Sequence, residues 1–465
     1  MLGGLEAVEI KLSDLERTLR LDSEFYKKEY IKIEKKIANS SHTLLTDIVK
    51  VADGNHMKIS DNFREKGVPY YRGQDVSSFF IEQSNPICIT DSAYNAPVMK
   101  RSYLHKNDIL LSIVGTIGKL SLVKENNRAT CSCKLAILRP KVSNSNFLSL
   151  FLQSKYGQDQ IERLTRGAVQ QGLLLEDMNQ ILVPTFSDIF QKILNSNIEN
   201  SYQKLENSKT LYKEAKNLLL KELDLLDFEP TKENISIKSF SESFGSSGRL
   251  DSEYYLPKYD ELIKRIKRKN FDKLENLVNI KKSIETGSEA YSDNGVEYIR
   301  VSNLTKFGLS KSTISIPYDY FKTKQLDTLK PKKDTILLSK DGTVGIAYSI
   351  KNESNIITSG AILHLIITDK RVLSEYLTLV LNSIVVQMQS KRDAGGSIIK
   401  HWKPSEIKEI LIPILDISIQ IDIEDKIKES FRLKEESKEL LELAKRGVEV
   451  VIEEGEDVAM RLIQK

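Results

Sequence analysis

Long apolar runs are missing from this sequence. No stretch approaches the roughly 20 consecutive apolar residues that a bilayer-spanning helix needs, which excludes a transmembrane helix. The opening residues, Met1 to Glu9, have neither a basic stretch nor an apolar core, so a secretory signal is not expected. Only three cysteines occur in 465 residues. Cys88, Cys131 and Cys133 cannot form a disulfide framework, and they fit a reducing, cytoplasmic compartment. Cys131-Ser132-Cys133 also lacks the spacing and partners of a zinc site. With five histidines in the chain, no Ser/His/Asp or Cys/His set suggests nucleophilic catalysis. A charge excess is missing too: 69 Lys+Arg stand against 65 Asp+Glu, for a net charge of +4. That balance does not identify a nucleic-acid partner, because partners read patches rather than totals.

What is present is a globular chain that repeats itself. Hydrophobic residues are 40% and charged residues 29%, and the length suggests roughly three domains at about 150 residues each. The segment Arg20-Leu-Asp-Ser-Glu-Phe-Tyr26 returns as Arg249-Leu-Asp-Ser-Glu-Tyr-Tyr255. Gly67-Val-Pro-Tyr-Tyr-Arg72 returns as Gly295-Val-Glu-Tyr-Ile-Arg300. Asp108-Ile-Leu-Leu-Ser-Ile-Val-Gly-Thr-Ile-Gly118 returns as Thr335-Ile-Leu-Leu-Ser-Lys-Asp-Gly-Thr-Val-Gly345, and Ile181-Leu-Val-Pro184 as Ile410-Leu-Ile-Pro413. The offset stays between 227 and 229 throughout. A period this long, present twice, is no solenoid. It implies two similar domains related by a pseudo-two-fold.

Each repeat opens on helical spacing (Phe25, Tyr26, Tyr30, Ile33, Ile37; Tyr254, Tyr255, Tyr259, Leu262, Ile263, Ile266). Short apolar runs with strand character come next: 68–71, 108–114 and 120–123, then 298–301, 336–339 and 362–367. From Leu373 to Met388 one apolar stripe predicts a helix, with Leu148, Phe151 and Leu152 as its first-copy counterpart. Segments 189–226 and 418–454 are free of proline, rich in Lys, Glu and Leu, and carry imperfect heptads. Each predicts a rod of about 45 Å, either paired in a coiled coil or used for docking. Phe228-Glu229-Pro230 is expected to end the first, since proline cannot continue a helix. Residues 100–166 hold twelve Lys/Arg against four Asp/Glu, and 300–341 nine against four, whereas 429–457 hold five against ten. Globular parts facing phosphate and rods facing protein would produce that distribution.

Catalytic motifs do not appear. Asn85-Pro86-Ile87-Cys88 lacks the second proline and the aromatic of an adenine methyltransferase loop. Gly115-Thr-Ile-Gly-Lys119 has two residues between its glycines where a phosphate-binding loop needs four. Gly115, Gly118, Gly342 and Gly345 read instead as tight-turn glycines. Arg72 with Gln74, and Arg300 with Ser302 and Asn303, come directly after equivalent strands. Arginine forks on guanine and amide side chains pair with adenine, so these are candidate base readers, unless they merely close a turn. Lys119 and Lys340 stand beside the glycine turns, within reach of phosphate. Arg20 to Tyr26 and its copy are too alike to read different bases and predict a structural role, such as a seat for a rod or for a partner subunit, with Asp22 or Ser23 (Asp251 or Ser252) able to cap the next helix.

Taken as an ordered duplicate set, the strand-and-glycine motifs at 109–118 and 336–345, the Gly167-to-Pro184 and Gly396-to-Pro413 endings and the tandem rods resemble the specificity subunit of type I restriction–modification systems. The resemblance covers essentially the whole chain. It implies an α+β fold: two tandem, strand-rich target-recognition domains alternating with two long helices that form an antiparallel coiled coil. The expected boundaries are 1–186 and 229–415 for the domains, with helices at 187–228 and 416–465. Each domain would read one half of a split site in double-stranded DNA, and the helices would set the spacer. Two modification subunits would bring S-adenosylmethionine and methylate an adenine in each half-site, and restriction subunits would join for cleavage. The chain itself would be non-catalytic and hold no cofactor. In that family, loops like those around Gly167 and Gly396 approach DNA, which adds Arg163, Arg166, Gln170 and Gln171, and Arg392, Lys400 and His401, to the candidates; Trp402 beside them reads as a packed ring. Other readings are a specificity partner of another restriction or phage-defence methyltransferase, an enzyme with an unrecognised motif, and a coiled-coil scaffold without a DNA role.

Overall fold

The computed structural model describes residues 6–18, 20–81, 86–141, 144–167, 169–321 and 325–464. The fold is α+β, and the sequence repeat is a repeat of topology. Strands Val49–Asp53, Leu135–Pro140, Ile109–Ser112 and Leu120–Leu122 lie side by side in that order, all antiparallel. Val278–Lys282, Ile362–Ile367, Ile336–Ser339 and Ala347–Ser349 repeat the arrangement, with Ile109 opposite Leu138 and Ile336 opposite Leu365. The central Ile-Leu-Leu-Ser strands are buried along their whole length. That is why they read as continuous rather than alternating apolar runs. Ile109 and Leu111 face helices, whereas Leu110 packs with Ile137 and Cys131. A smaller sheet lies behind them. Val68–Tyr71 pairs antiparallel with Cys88–Ile89 and parallel with Thr130–Cys131. Its copy is Val296–Ile299, between Ser315–Ile316 and Ile356–Thr358.

The single helix expected from Leu373 to Met388 is two helices, Ser374–Asn382 and Ile384–Asp393. The first repeat has the same break, between Ser145–Gln153 and Lys155–Leu164. A serine causes each one. Ser154 and Ser383 adopt extended backbone, accept from the N–H of Gly157 and Val385, and donate to the carbonyls of Phe151 and Val380. Apolar spacing continues across the break, so periodicity does not reveal it. Replacing either serine by alanine is expected to cost about 1 kcal/mol, the usual worth of an N-cap, read from denaturant unfolding midpoints.

Two long helices, Asp188–Glu222 and Ile417–Glu454, carry the heptads. The first does not run to Phe228-Glu229-Pro230 as expected. Asp224 turns left-handed at φ 56°. Leu225 N–H then reaches the Leu220 carbonyl at 2.7 Å and Asp224 N–H that of Lys221 at 3.0 Å. This Schellman closure ends the helix before the proline.

The chain divides into two compact units, 1–205 with 435–465, and 206–434. Each therefore holds a globular repeat and a stretch of both long helices. In the first, Phe190, Leu194, Ile198 and Leu205 share a core with Ala444, Val448 and Val451, and Lys204 pairs with Glu436 at 2.7 Å. In the second, Ala215 and Leu219 share a core with Ile423 and Ile427, and Lys426 pairs with Glu214 at 3.1 Å. Within both units the partners run in opposite directions. Buried serines face each other, Ser201 with Ser437 at 2.9 Å in the first unit and Ser208 with Ser430 at 3.1 Å in the second. Such small side chains let the backbones approach closely.

Candidate nucleic-acid interface

In each unit three segments far apart in sequence meet at one edge of the sheet. The first is the glycine loop after the central strand. Ser112 N–H donates to the Lys119 carbonyl at 2.7 Å and Gly118 N–H to that of Ser112 at 3.0 Å, closing the loop. Gly118 and Gly345 have φ of 84° and 85°. Gln158 and Gln387 donate to their carbonyls at 3.1 and 2.7 Å. Gly118 and Gly345 are thus turn glycines clamped to a helix, while Gly115 and Gly342, at φ 86° and 72°, are open turn glycines.

The second segment is a short hairpin pinned to that loop. Arg166 and Gly172 exchange backbone hydrogen bonds at 2.8 and 2.7 Å, and Leu173 N–H donates to the Ile113 carbonyl at 2.9 Å. In the second unit Gly395 and His401 exchange theirs at 3.1 and 2.7 Å, and Trp402 N–H donates to the Lys340 carbonyl at 2.8 Å. Gly167 and Gly396, at φ 115° and 114°, form the bends. A Cβ there would fall 2.2 and 2.0 Å from the carbonyl oxygens of Gln170 and Ile399.

The third is the turn after the smaller sheet's central strand. Asp75 accepts the Arg72 N–H at 2.8 Å, and Asn303 accepts that of Arg300 at 3.1 Å. A Cβ on Gly73 would lie 3.4 Å from Ser112 Oγ, which shows how closely this turn rests on the glycine loop. In the second unit Arg300, Ser302 and Asp341 line one open cleft of about 530 Å³.

The candidate residues sort by what holds them. Gln74, Lys119, Gln170 and Gln171 are exposed in the first unit, as are Arg300, Ser302 and Lys400 in the second. Arg72 lies 3.5 Å from Asp75 and is partly exposed, and Arg166 pairs with the buried Asp177. Lys340 pairs with Asp341, whose other oxygen meets His401 Nδ1 at 2.8 Å, so this lysine is not free for phosphate. Asn303 spends its amide on its own turn, donating to Ser310 and Lys311, so it closes a turn and does not face outward as a reader.

Arg163 and Arg392 are equivalent and depart from the expected role. Arg163 pairs with Glu34 at 2.7 Å and covers the Phe25 ring at 4.2 Å. Arg392 pairs with Asp393 at 2.7 Å and covers Tyr254 at 5.2 Å. Burial raises the Asp393 carboxyl above its usual range against the pull of Arg392. Both arginines are packing residues. Trp402 is 1% exposed, a core ring as expected.

Sequence reasoning missed Val169 and Ile398. They stand at the hairpin tips, essentially fully exposed at 103% and 96%. Their equal offset from the repeat, 229, was the available signal. Among the described residues no cluster of three His, Cys, Asp or Glu is placed to hold a metal ion, and no helix is long and apolar enough to cross a membrane. Asn85, of the incomplete methyltransferase-like string, lies outside the described residues.

These edges accompany a sequence match. Residues 42–217 match the family described as Type I restriction modification DNA specificity domain. The specificity subunit of the type I restriction enzyme EcoBI from Escherichia coli is 32% identical over 87 residues, which is 18% of this chain and 18% of that protein. The matched part is thus under a fifth of that relative's length. Among solved structures, the S subunit of a type I restriction–modification system from M. genitalium is 14% identical, with 91% of this chain and 95% of that one covered at a TM-score of 0.37. The HsdS subunit from Thermoanaerobacter tengcongensis is 13% identical, with 89% and 96% covered at 0.29.

Proposed function

The chain is a relative of type I restriction–modification specificity subunits, and we propose that it is the DNA sequence-recognition subunit of such a complex. One observation carries this most: the same three-segment edge is built twice on matching backbones, while its outward side chains differ between copies. Gln74 corresponds to Ser302, and Arg166, Gln170 and Gln171 to Gly395, Ile399 and Lys400. A shared backbone with unlike polar groups is what two half-site readers require, since phosphate contacts position a protein and base contacts specify the sequence. The two long helices set the spacer between half-sites. Two modification subunits bring S-adenosylmethionine and methylate an adenine in each half, and restriction subunits join for cleavage. In this reading the chain supplies no chemistry and binds no cofactor.

Methylome sequencing tests it. A methylation-free host should acquire N6-methyladenine at one split, asymmetric motif only when this chain accompanies its modification subunit. No motif from a soluble, assembled complex would sink the reading and favour the scaffold alternative. A second expectation concerns salt. Lys119 is exposed beside the glycine loop. Lys119→Ala should weaken binding of all sequences alike, leave the motif unchanged, and reduce the slope of log affinity against log salt by about 1. An unchanged slope would remove Lys119 from the phosphate contacts.

A further inference from the structure

The repeated Arg-Leu-Asp-Ser-Glu-aromatic-Tyr segment builds the same scaffold in both units. Arg20 forks onto Asp22 at 2.7 and 2.8 Å, and Arg249 forks onto Asp251 at 2.8 and 2.7 Å. The remaining guanidinium nitrogen donates to the last carbonyl of a helix, Leu164 at 3.4 Å or Asp393 at 2.7 Å. The tyrosine hydroxyl returns to the arginine carbonyl, Tyr26 at 3.1 Å and Tyr255 at 2.9 Å. Each arginine also lies 4.6 Å above a ring, Phe25 or Tyr254. The arginine, the aspartate and both aromatic positions therefore have internal work in both copies. Leucine does not. Leu21 is 86% exposed and Leu250 is 74% exposed.

One exposed leucine on a surface is ordinary. The same leucine, held outward twice by the same closed network, is a presented side chain. We propose that Leu21 and Leu250 are twin docking anchors for two copies of one protein, the modification subunit, one copy on each unit. The identity of that partner rests on the specificity-subunit reading.

Two observations choose protein over DNA as the occupant. First, the segment hardly varies between copies, whereas the reading edges do. Identical seats fit identical partners, and unlike half-sites require unlike readers. Second, the local charge is balanced rather than basic: Arg20, Arg163 and Arg166 stand against Asp22, Glu24 and Glu162 in the cleft beside Leu21. These charges are paired inside the protein: Arg20 and Arg249 with their aspartates, Arg163 with Glu34, Arg166 with Asp177, and Glu24 with Lys27. A partner with an apolar pocket fits that surface, whereas a polyanion needs unpaired cations to release its counterions. In the first unit a cleft of about 460 Å³ adjoins the leucine, and its far wall is the base of the reading hairpin at Arg166 and Gly167. A partner seated there lies next to the segment that would contact DNA, where a methyltransferase has to work.

The test uses the full chain with the modification subunit encoded beside it. Native mass spectrometry should give two partner copies on the wild type, one on Leu21→Glu, one on Leu250→Glu and none on the double variant. Leu→Ala at one seat should weaken that copy about tenfold, the worth of an unburied leucine side chain, and Leu→Met should restore it. Affinity of the isolated chain for DNA should be the same for all variants. Two copies retained by the double variant would overturn the proposal, as would a wild type that recruits none. Loss of DNA affinity in every form, with the stoichiometry pattern intact, would instead overturn the DNA-reading function and leave the seats standing.

Discussion

Truncating Arg163 to alanine is expected to destabilise the first unit by about 2–4 kcal/mol and to leave the methylated motif unaltered. The guanidinium is 10% exposed, pairs with Glu34 at 2.7 Å and donates to the Phe25 carbonyl at 2.9 Å. Its removal takes a close partner from the partly buried Glu34 carboxylate, uncovers the Phe25 ring and opens the joint between that segment and the helix Lys155–Leu164. Breaking a buried pair by removing one partner costs more than the pair was worth, because the other charge stays behind. Arg392→Ala should behave alike, since the carboxylate of Asp393 that it covers is only 7% exposed. Arg300→Ala is the contrast. That side chain is exposed, so stability should move by less than about 0.5 kcal/mol, while DNA affinity or the second half-site changes. Thermal unfolding paired with methylome sequencing separates the two classes. A changed motif at unchanged stability for Arg163→Ala would return that residue to the DNA-contacting set.

Exchanging residues 42–184 for the matching segment of another specificity chain should replace one half-site outright and leave the other, and the spacer, unchanged. The cut falls on paired backbone. His42 lies opposite Pro184, Thr43 opposite Val183 and Leu44 opposite Leu182, so the graft begins and ends on one antiparallel pair of strands. All three segments of the first edge travel with it. The Arg20 scaffold and both long helices stay behind. The packing sets one condition: the donor segment has to carry arginine at the position of Arg163, because Glu34 and Phe25 lie outside the graft. Sequencing the methylome of the exchanged chain decides the matter. A motif altered in both halves, or in neither, would mean that the two repeats do not read independently.

Much of this protein was legible in its sequence, for reasons that can be named. The duplication was, because a repeat preserves order and offset even where side chains diverge. The Ile109–Ser112 and Ile336–Ser339 strands were, because apolar runs bounded by glycine have few other uses. The long helices were visible as proline-free heptads. Local polar geometry was not. Ser154 and Ser383 break helices without disturbing apolar spacing, and Asp224 closes the first long helix through a left-handed residue that composition does not announce. The fate of each arginine was hidden as well. Arg163, Arg166, Arg300 and Arg392 look alike in a string of letters, yet a neighbouring carboxylate or ring engages three of them and leaves Arg300 exposed. Nothing in the letters sets Leu21 and Leu250 apart from core leucines; the network around them faces them outward. Sequence by itself determined what is periodic or repeated, which is backbone pattern and burial. Tertiary structure alone decided which charges are spent inside the protein and which remain for a partner, because that depends on groups more than a hundred residues apart meeting within 3 Å, as Arg163 and Glu34 do.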